Sequence, residues 1–213
     1  ETQPRGLPAL RPLSVAGVRN LVLVGFMGCG KTTVGRRVAP RLGMRFVDLD
    51  DVVVRDAGRS IVEIFATDGE PEFRRLEREA VRKVAAGEGL VVAPGGGAVM
   101  NDENWRVLGE GNLVVRLNAS PRALLRRIRS REEIRDAGGR RPRDTRPLAE
   151  VPAEAVRWPA AARRRVLALM AAREARYAES GHVVDTTGRS LDEVVRSVEG
   201  LARAAGLGGG AHA

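Results

Sequence analysis

Five short apolar runs punctuate the chain, at 21–24, 46–47, 90–93, 113–117 and 183–184. Each is short and mostly β-branched or aliphatic, without polar alternation, and each is followed by a longer stretch with helical spacing. Strands buried on both faces read this way, so the pattern predicts an α/β domain: a parallel sheet covered by helices on each side. Val34, Val38 and Leu42 recur at i, i+4 and i+8 and predict a helix that stops by Gly43, with Pro40 expected to kink it or end it early. Ser60-Ile-Val-Glu63 and Ser190-Leu-Asp-Glu193 have the form of capping boxes, in which the hydroxyl accepts from the N3 amide and the carboxylate reaches back to the cap. Ser120-Pro121 reads as an N-cap followed by proline at N1, and a long helix is predicted from about Pro159 to Glu179.

Three stretches break the pattern. Residues 1–18 contain three prolines and neither helical nor strand periodicity, and are expected to be an unstructured extension. Residues 205–213 are glycine-rich and read as a flexible tail. Residues 129–150 carry many charges, a glycine pair and two prolines, and are expected to be a mobile excursion from a domain spanning 19–204.

Composition narrows the class. At 213 residues, with 43% hydrophobic and 30% charged positions, the chain suits one globular domain with a modest insertion. Cys29 is the only cysteine, so an intrachain disulfide is excluded and a reducing, cytoplasmic setting is expected. No apolar run approaches the ~20 residues needed to cross a bilayer, and no apolar signal region follows the N-terminus. A monomer without membrane or nucleic-acid partners is therefore expected. The formal charge of +9 raises the possibility of polyanion binding. Against it, the basic residues are dispersed and aromatics are only 3%, so no basic patch interleaved with stacking side chains is visible. Of the 36 basic residues, Lys31 and Lys83 are the lysines and all others are arginines, most simply a habit of base composition.

The strongest chemical signal follows the first apolar run. Gly25-Phe-Met-Gly28-Cys29-Gly30-Lys31-Thr32 fits G-x-x-x-x-G-K-[ST] between a predicted strand and a predicted helix, with Thr33 next on the helix. Such a loop wraps backbone N–H groups around a polyphosphate, and the helix N-terminus adds partial positive charge. Lys31 would reach the β- and γ-phosphates, and Thr32 would ligate Mg²⁺. Cys29 is either a small filler or a thiol of lowered pKa near the helix N-terminus, which would make ATP binding sensitive to alkylation. GTPase-type N-K-x-D motifs are absent.

Further features fall near the ends of strands, where ligands bind in open α/β sheets. Alternation along Phe46-Val-Asp48-Leu-Asp50-Asp51 puts Asp48 and Asp50 on one side, Asp48 toward a metal and Asp50 toward an acceptor hydroxyl. Asp50 or Asp51 could instead be a helix cap. In Gly69-Glu-Pro-Glu72-Phe73-Arg74-Arg75-Leu-Glu77, Arg74 could grip a substrate carboxylate bidentately, while Arg75 suits a solvated pair. Gly95-Gly96-Gly97 after the third strand offers backbone donors without side-chain bulk. Asp144-Thr-Arg146-Pro147-Leu148 ends the excursion, and Arg173 lies on the late helix, where a solvated face is the plain alternative.

Taken in order, the phosphate loop, the F-V-D-x-D segment, the G-E-x-x-F-R-x-x-E helix start, the GGG turn, the R-P-L element and the R-x-x-x-Y stretch (Arg173 to Tyr177) resemble the shikimate kinase family over about residues 19–200. The resemblance implies a three-layer P-loop kinase fold with a five-stranded parallel sheet in the order 2-3-1-4-5 and a mobile lid at about 129–150. It implies ATP-dependent phosphorylation of the 3-hydroxyl of shikimate, giving shikimate 3-phosphate and ADP, in aromatic amino-acid biosynthesis. Arg74 and Arg173 would then hold the substrate carboxylate, Asp50 the hydroxyl, and Gly96 and Gly97 backbone contacts beside Gly95. Arg146 would approach the transferring phosphoryl, Arg140 the adenine, and Thr32 with Asp48 the magnesium. The excursion is longer than the usual lid, and Ala175 stands where the family often has proline. Rival readings are another small P-loop kinase, such as a gluconate kinase, or a non-catalytic nucleotide- or nucleic-acid-binding module.

Overall fold

The structure, a computed structural model, describes residues 17–128 and 160–208. Five strands, β1 (Asn20–Val24), β2 (Arg45–Asp48), β3 (Leu90–Ala93), β4 (Asn112–Asn118) and β5 (His182–Asp185), form one parallel sheet in the order β2-β3-β1-β4-β5. Each predicted apolar run is a strand, and four of the five extend by flanking residues that periodicity alone does not reach. The Asn20 amide shows why a polar residue starts β1. It donates to Asn112 Oδ1 at 3.0 Å and Gly87 O at 2.8 Å and accepts from the Leu90 N–H at 2.9 Å, tying together the starts of three strands.

Topology places the helices. α1 (Lys31–Arg41) carries the chain from β1 across to β2, whereas every later crossover runs back in the opposite direction along the sheet. Right-handed crossovers in opposite directions lie on opposite faces. Accordingly, α2 (Leu49–Ala57), α3 (Ile61–Thr67), α4 (Gly69–Ala85) and α5 (Asp102–Gly109) pack among themselves, while α8 (Leu191–Ala204) packs on α1. Between β4 and β5 lie a helix over 121–128, here α6, and α7 (Ala160–Ala178).

Local signals are realised closely. Val34, Val38 and Leu42 are all buried. α1 ends at Arg41, Pro40 being exposed in its last turn, where its missing N–H removes the bond to Arg36 O while the Leu42 N–H still closes onto Val38 O at 3.1 Å. Both capping boxes form, and the Ser120 hydroxyl accepts from the Ala123 N–H at 3.3 Å to cap α6. α7 runs without interruption through Ala175, which sustains the helix where proline would break it.

The edges of the domain lie slightly outside the expected ones. Val18 packs against the core, and Leu207, in the stretch expected to be a flexible tail, is 5% exposed, its N–H bonded to Ala202 O at 2.9 Å. A single apolar side chain overrides the glycines around it. The surface arginines are extensively ion-paired: Arg82 with Glu103 and Arg106 with Glu110, in the last turns of α4 and α5, where cations also complement the helix dipole.

Candidate active site

The phosphate loop leaves the carboxyl end of β1. Gly25, Gly28 and Gly30 all have positive φ, and a Cβ on Gly25 would lie 2.3 Å from the backbone oxygen of Leu117, so the loop can pass β4 only with glycine there. Gly30 is the N-cap of α1, without a side-chain cap and with no acidic residue in the first turn. The opening amides of α1, at Lys31, Thr32 and Thr33, thus form a positive end with no carboxylate of the helix set against it. The Lys31 ammonium folds over the loop, donating to Gly25 O at 2.8 Å and Phe26 O at 3.4 Å. The Thr32 hydroxyl donates to Asp48 Oδ2 at 2.9 Å, joining loop and β2 in one polar corner.

Cys29 has a different role from the rest of the loop. Its N–H closes a turn onto Phe26 O at 3.2 Å, and the residue is 2% exposed. It shapes the cradle from within, and burial removes the alkylation-sensitive alternative.

The acceptor side corrects one expectation. β2 stops at Asp48, which is itself the N-cap of α2, accepting from the Asp50 N–H at 3.2 Å. Asp50 is therefore not the next strand residue on the same side. It stands in the first turn of α2, buried, and the cap considered for Asp50 or Asp51 belongs to Asp48. The chain turned sooner than alternation suggested because the Asp48 carboxylate offers the helix its cap. Asp50 stands at the positive end of α2.

Arg74 projects from α4 and is held by two carboxylates, Glu70 at 2.9 Å and Glu77 at 2.8 Å. Glu77 is only 3% exposed on its side chain. Burial works against the Arg74 charge, but Glu77 and Glu70 outweigh it, so its pKa lies above the ordinary value. Arg75 pairs with Glu72 and Glu79 on the surface, as its solvated reading predicts.

The glycine turn explains how Arg74 and Arg173 meet. A Cβ on Gly97 would lie 2.5 Å from Arg74 Nη1, and one on Gly96 would lie 2.8 Å from Arg173 Nη1. Neither glycine has positive φ. They are needed for room: two guanidinium groups, from α4 and α7, seat against adjacent bare backbone positions. Gly95 is buried behind them and accepts from the Ala98 N–H at 3.1 Å, which starts a 3₁₀ turn. The Arg173 guanidinium also lies 5.8 Å from the Phe26 ring centroid, so this cationic corner borders the phosphate loop. Tyr177, one turn along α7, is buried beside it. Burial pushes its phenol up, against the opposing fields of Lys31 and Arg173.

Arg140 and Arg146, with the whole of the expected lid, lie outside the described residues. Three participants were not singled out in the sequence. Glu77 stands i+3 from Arg74, a spacing that could have nominated it as a partner. Arg127, from α6, donates to Thr186 O at 2.7 Å and Gly28 O at 3.4 Å, bracing the phosphate loop against the end of β5. Arg116, from β4, is buried behind Tyr177. Neither of the last two belongs to a local motif, and only the fold brings them near the site.

A three-layer α/β domain with a phosphate loop at the end of its central strand, and a cationic corner beside it, fits the class of small P-loop phosphotransferases. Comparison with known proteins is specific within that class. The family model described as Shikimate kinase matches residues 27–201. A shikimate kinase of Geobacter metallireducens is 42% identical over 185 residues, 87% of this chain and 92% of that one, and a shikimate kinase of Symbiobacterium thermophilum is 43% identical over 180 residues, 84% and 93% respectively. Among solved structures, the shikimate kinase of Acinetobacter baumannii in complex with shikimate superposes with a TM-score of 0.71 at 29% identity, covering 88% of this chain and 94% of that one. The chain belongs to the shikimate kinase family.

Proposed function

We propose that this chain transfers the γ-phosphoryl of ATP to the 3-hydroxyl of shikimate, giving shikimate 3-phosphate and ADP. The observation that carries the reading is the seating of Arg74 and Arg173 over Gly97 and Gly96 beside the phosphate loop. Two planar guanidinium groups on one turn suit a single carboxylate, which each can bind through parallel N–H bonds. Buried Asp50 lies on the neighbouring helix start, suited to accept a hydrogen bond from the acceptor hydroxyl and to take its proton late in the transfer.

On the donor side, the loop from Gly28 to Gly30 and the first amides of α1 would hold the phosphates. Lys31 would exchange its carbonyl partners for phosphate oxygens, following the charge as it migrates to the β–γ bridge. Arg146, from the segment after α6, is assigned to the transferring phosphoryl and Arg140 to the adenine, on the family resemblance.

The residues present fit Mg²⁺. Thr32 and Asp48 supply hard oxygen donors 2.9 Å apart, and among the described residues no group of three or more His, Cys, Asp or Glu forms a protein-only cage. That is the donor set of an ion which takes its remaining ligands from phosphate and water. Bound there, Mg²⁺ would neutralise phosphate charge. Cytoplasmic location and action as a monomer are part of the same proposal. Among the described residues no helix is long and apolar enough to cross a membrane.

The test is coupled ADP release with Mg²⁺ and ATP, comparing shikimate and gluconate. Turnover with shikimate and none above background with gluconate is expected. Turnover with gluconate alone would refute the assignment.

A further inference from the structure

Among the described residues, the functional reading leaves one buried cation, Arg116, without a part. Arg116 lies on β4, paired in register with Val24, the last residue of β1 before the phosphate loop. Its side chain is 10% exposed. Nη2 donates to Glu174 Oε2 at 2.7 Å and to Asn118 Oδ1 at 3.1 Å, and the guanidinium carbon is 5.7 Å from the Tyr177 ring centroid. Glu174 immediately follows Arg173 on α7.

A buried guanidinium is expensive without a carboxylate partner. Glu174 is 61% exposed and would be well solvated by itself, so the requirement lies with Arg116: it is satisfied when α7 sits down on β4. A second contact acts nearby, where Arg176, with an 11% exposed side chain, pairs with Asp102 at the start of α5 and stacks near Trp105. Residues 174, 176 and 177 thus fix the roll of α7 from different sides. Successive residues of a helix are separated by about 100°, so fixing them determines where Arg173 points.

We propose that Arg116 and Glu174 are positioning residues for acceptor binding: their bridge sets the roll and height of α7 and so aims the Arg173 guanidinium at the Gly96 turn. The proposal rests on the assignment of Arg173 to the acceptor carboxylate. It assigns a role in the reaction to a strand residue outside every motif of the chain, acting on shikimate and not on ATP.

Steady-state kinetics in both substrates, with thermal melting, would test it on Glu174→Ala, Glu174→Gln, Arg116→Met, the double variant Arg116→Met with Glu174→Ala, and Arg173→Lys. Glu174→Ala should raise the KM for shikimate about five- to tenfold while kcat and the KM for ATP stay within about twofold, the range of a single coupled contact. Glu174→Gln, which keeps an acceptor oxygen, should recover much of that loss. The double variant should be no worse than the poorer single one, since both remove one bridge. An unchanged shikimate KM in Glu174→Ala, with or without a lower melting temperature, would overturn the proposal, as would equal losses toward both substrates. Should Arg116→Met fail to fold, the Glu174 pair decides alone. Arg173→Lys separates the two levels: if it raises the shikimate KM and Glu174→Ala does not, only the positioning role fails. If Arg173→Lys leaves the KM unchanged, the carboxylate assignment itself fails, and this proposal with it.

Discussion

The donor and acceptor halves of the proposed site are built from different materials. Among the described residues the donor half is built mainly on one contiguous segment, Gly25 to Thr33, made of backbone amides and a helix end, with side chains contributing at Lys31 and Thr32 and Asp48 joined to it through Thr32. The acceptor half gathers side chains from α2, α4 and α7 around the turn after β3. Backbone sites are rigid as soon as the strand and helix form, whereas a side-chain site is only as well aimed as the packing and ion pairs behind each member. Glu77 behind Arg74, buried at 3% exposure, illustrates the extra layer the acceptor half requires.

Removing the Lys31 ammonium from the donor half should have the largest consequence. Lys31→Met is expected to lower kcat by at least about 10³, since phosphoryl transfer depends mainly on positioning and charge stabilisation. The fold should persist, because Lys31 bonds only to loop carbonyls and its site is partly solvated. Activity above about a tenth of normal in a coupled assay would place the phosphate contact elsewhere. Asp50→Asn should come next, lowering kcat by about 10²–10⁴ while ATP binding, read by nucleotide titration, stays within about twofold. Near-normal turnover would remove Asp50 from the reaction.

Glycines make the sharpest contrast between the halves. Gly25→Ala would drive a Cβ to 2.3 Å from a backbone oxygen at a left-handed φ, and nothing flexible can yield. Destabilisation of at least about 3 kcal/mol is expected, visible as loss of soluble protein or a large fall in melting temperature. Gly97→Ala meets Arg74 Nη1 at 2.5 Å, the far end of a flexible side chain. The protein should melt within a few degrees of normal, yet its KM for shikimate should rise about 10- to 100-fold as the guanidinium is pushed aside. A Gly97→Ala enzyme with unaltered KM would mean that Arg74 reaches the acceptor from another direction.

The same division governs what the sequence discloses. The central strands were legible because burial on both faces leaves them almost wholly apolar, β4 being broken by Arg116, whereas the edge strands β2 and β5 are partly exposed and show two apolar residues each; the phosphate loop was legible because its chemistry is local. Arg74 and the glycine turn were visible as motifs, but not the reason for the glycines, which is the space two remote arginines occupy. Asp50 was misplaced by alternation because the Asp48 carboxylate ends the strand as a cap, a competition that periodicity does not register. Arg116 and Arg127 were invisible: their partners lie 58 and 59 residues away along the chain. Leu207 ties residues 205–208 to the core, a contact that composition gives no hint of.

The smallest effect is expected where loop position alone suggests a large one. Cys29 sits in the middle of the phosphate loop, yet its N–H is committed to Phe26 O and its side chain is shielded. Cys29→Ala should leave the KM for ATP within about twofold, because the loop is held by glycine dihedrals and the amides of α1 and not by the thiol. For the same reason an exposed-thiol reagent should react slowly with the folded enzyme and rapidly once it is unfolded by denaturant. Fast modification of the native protein, with matching loss of ATP binding, would show that the loop opens far more readily than its packed glycines and closed turn allow, and would erase the distinction between a rigid donor half and an acceptor half that depends on its supports.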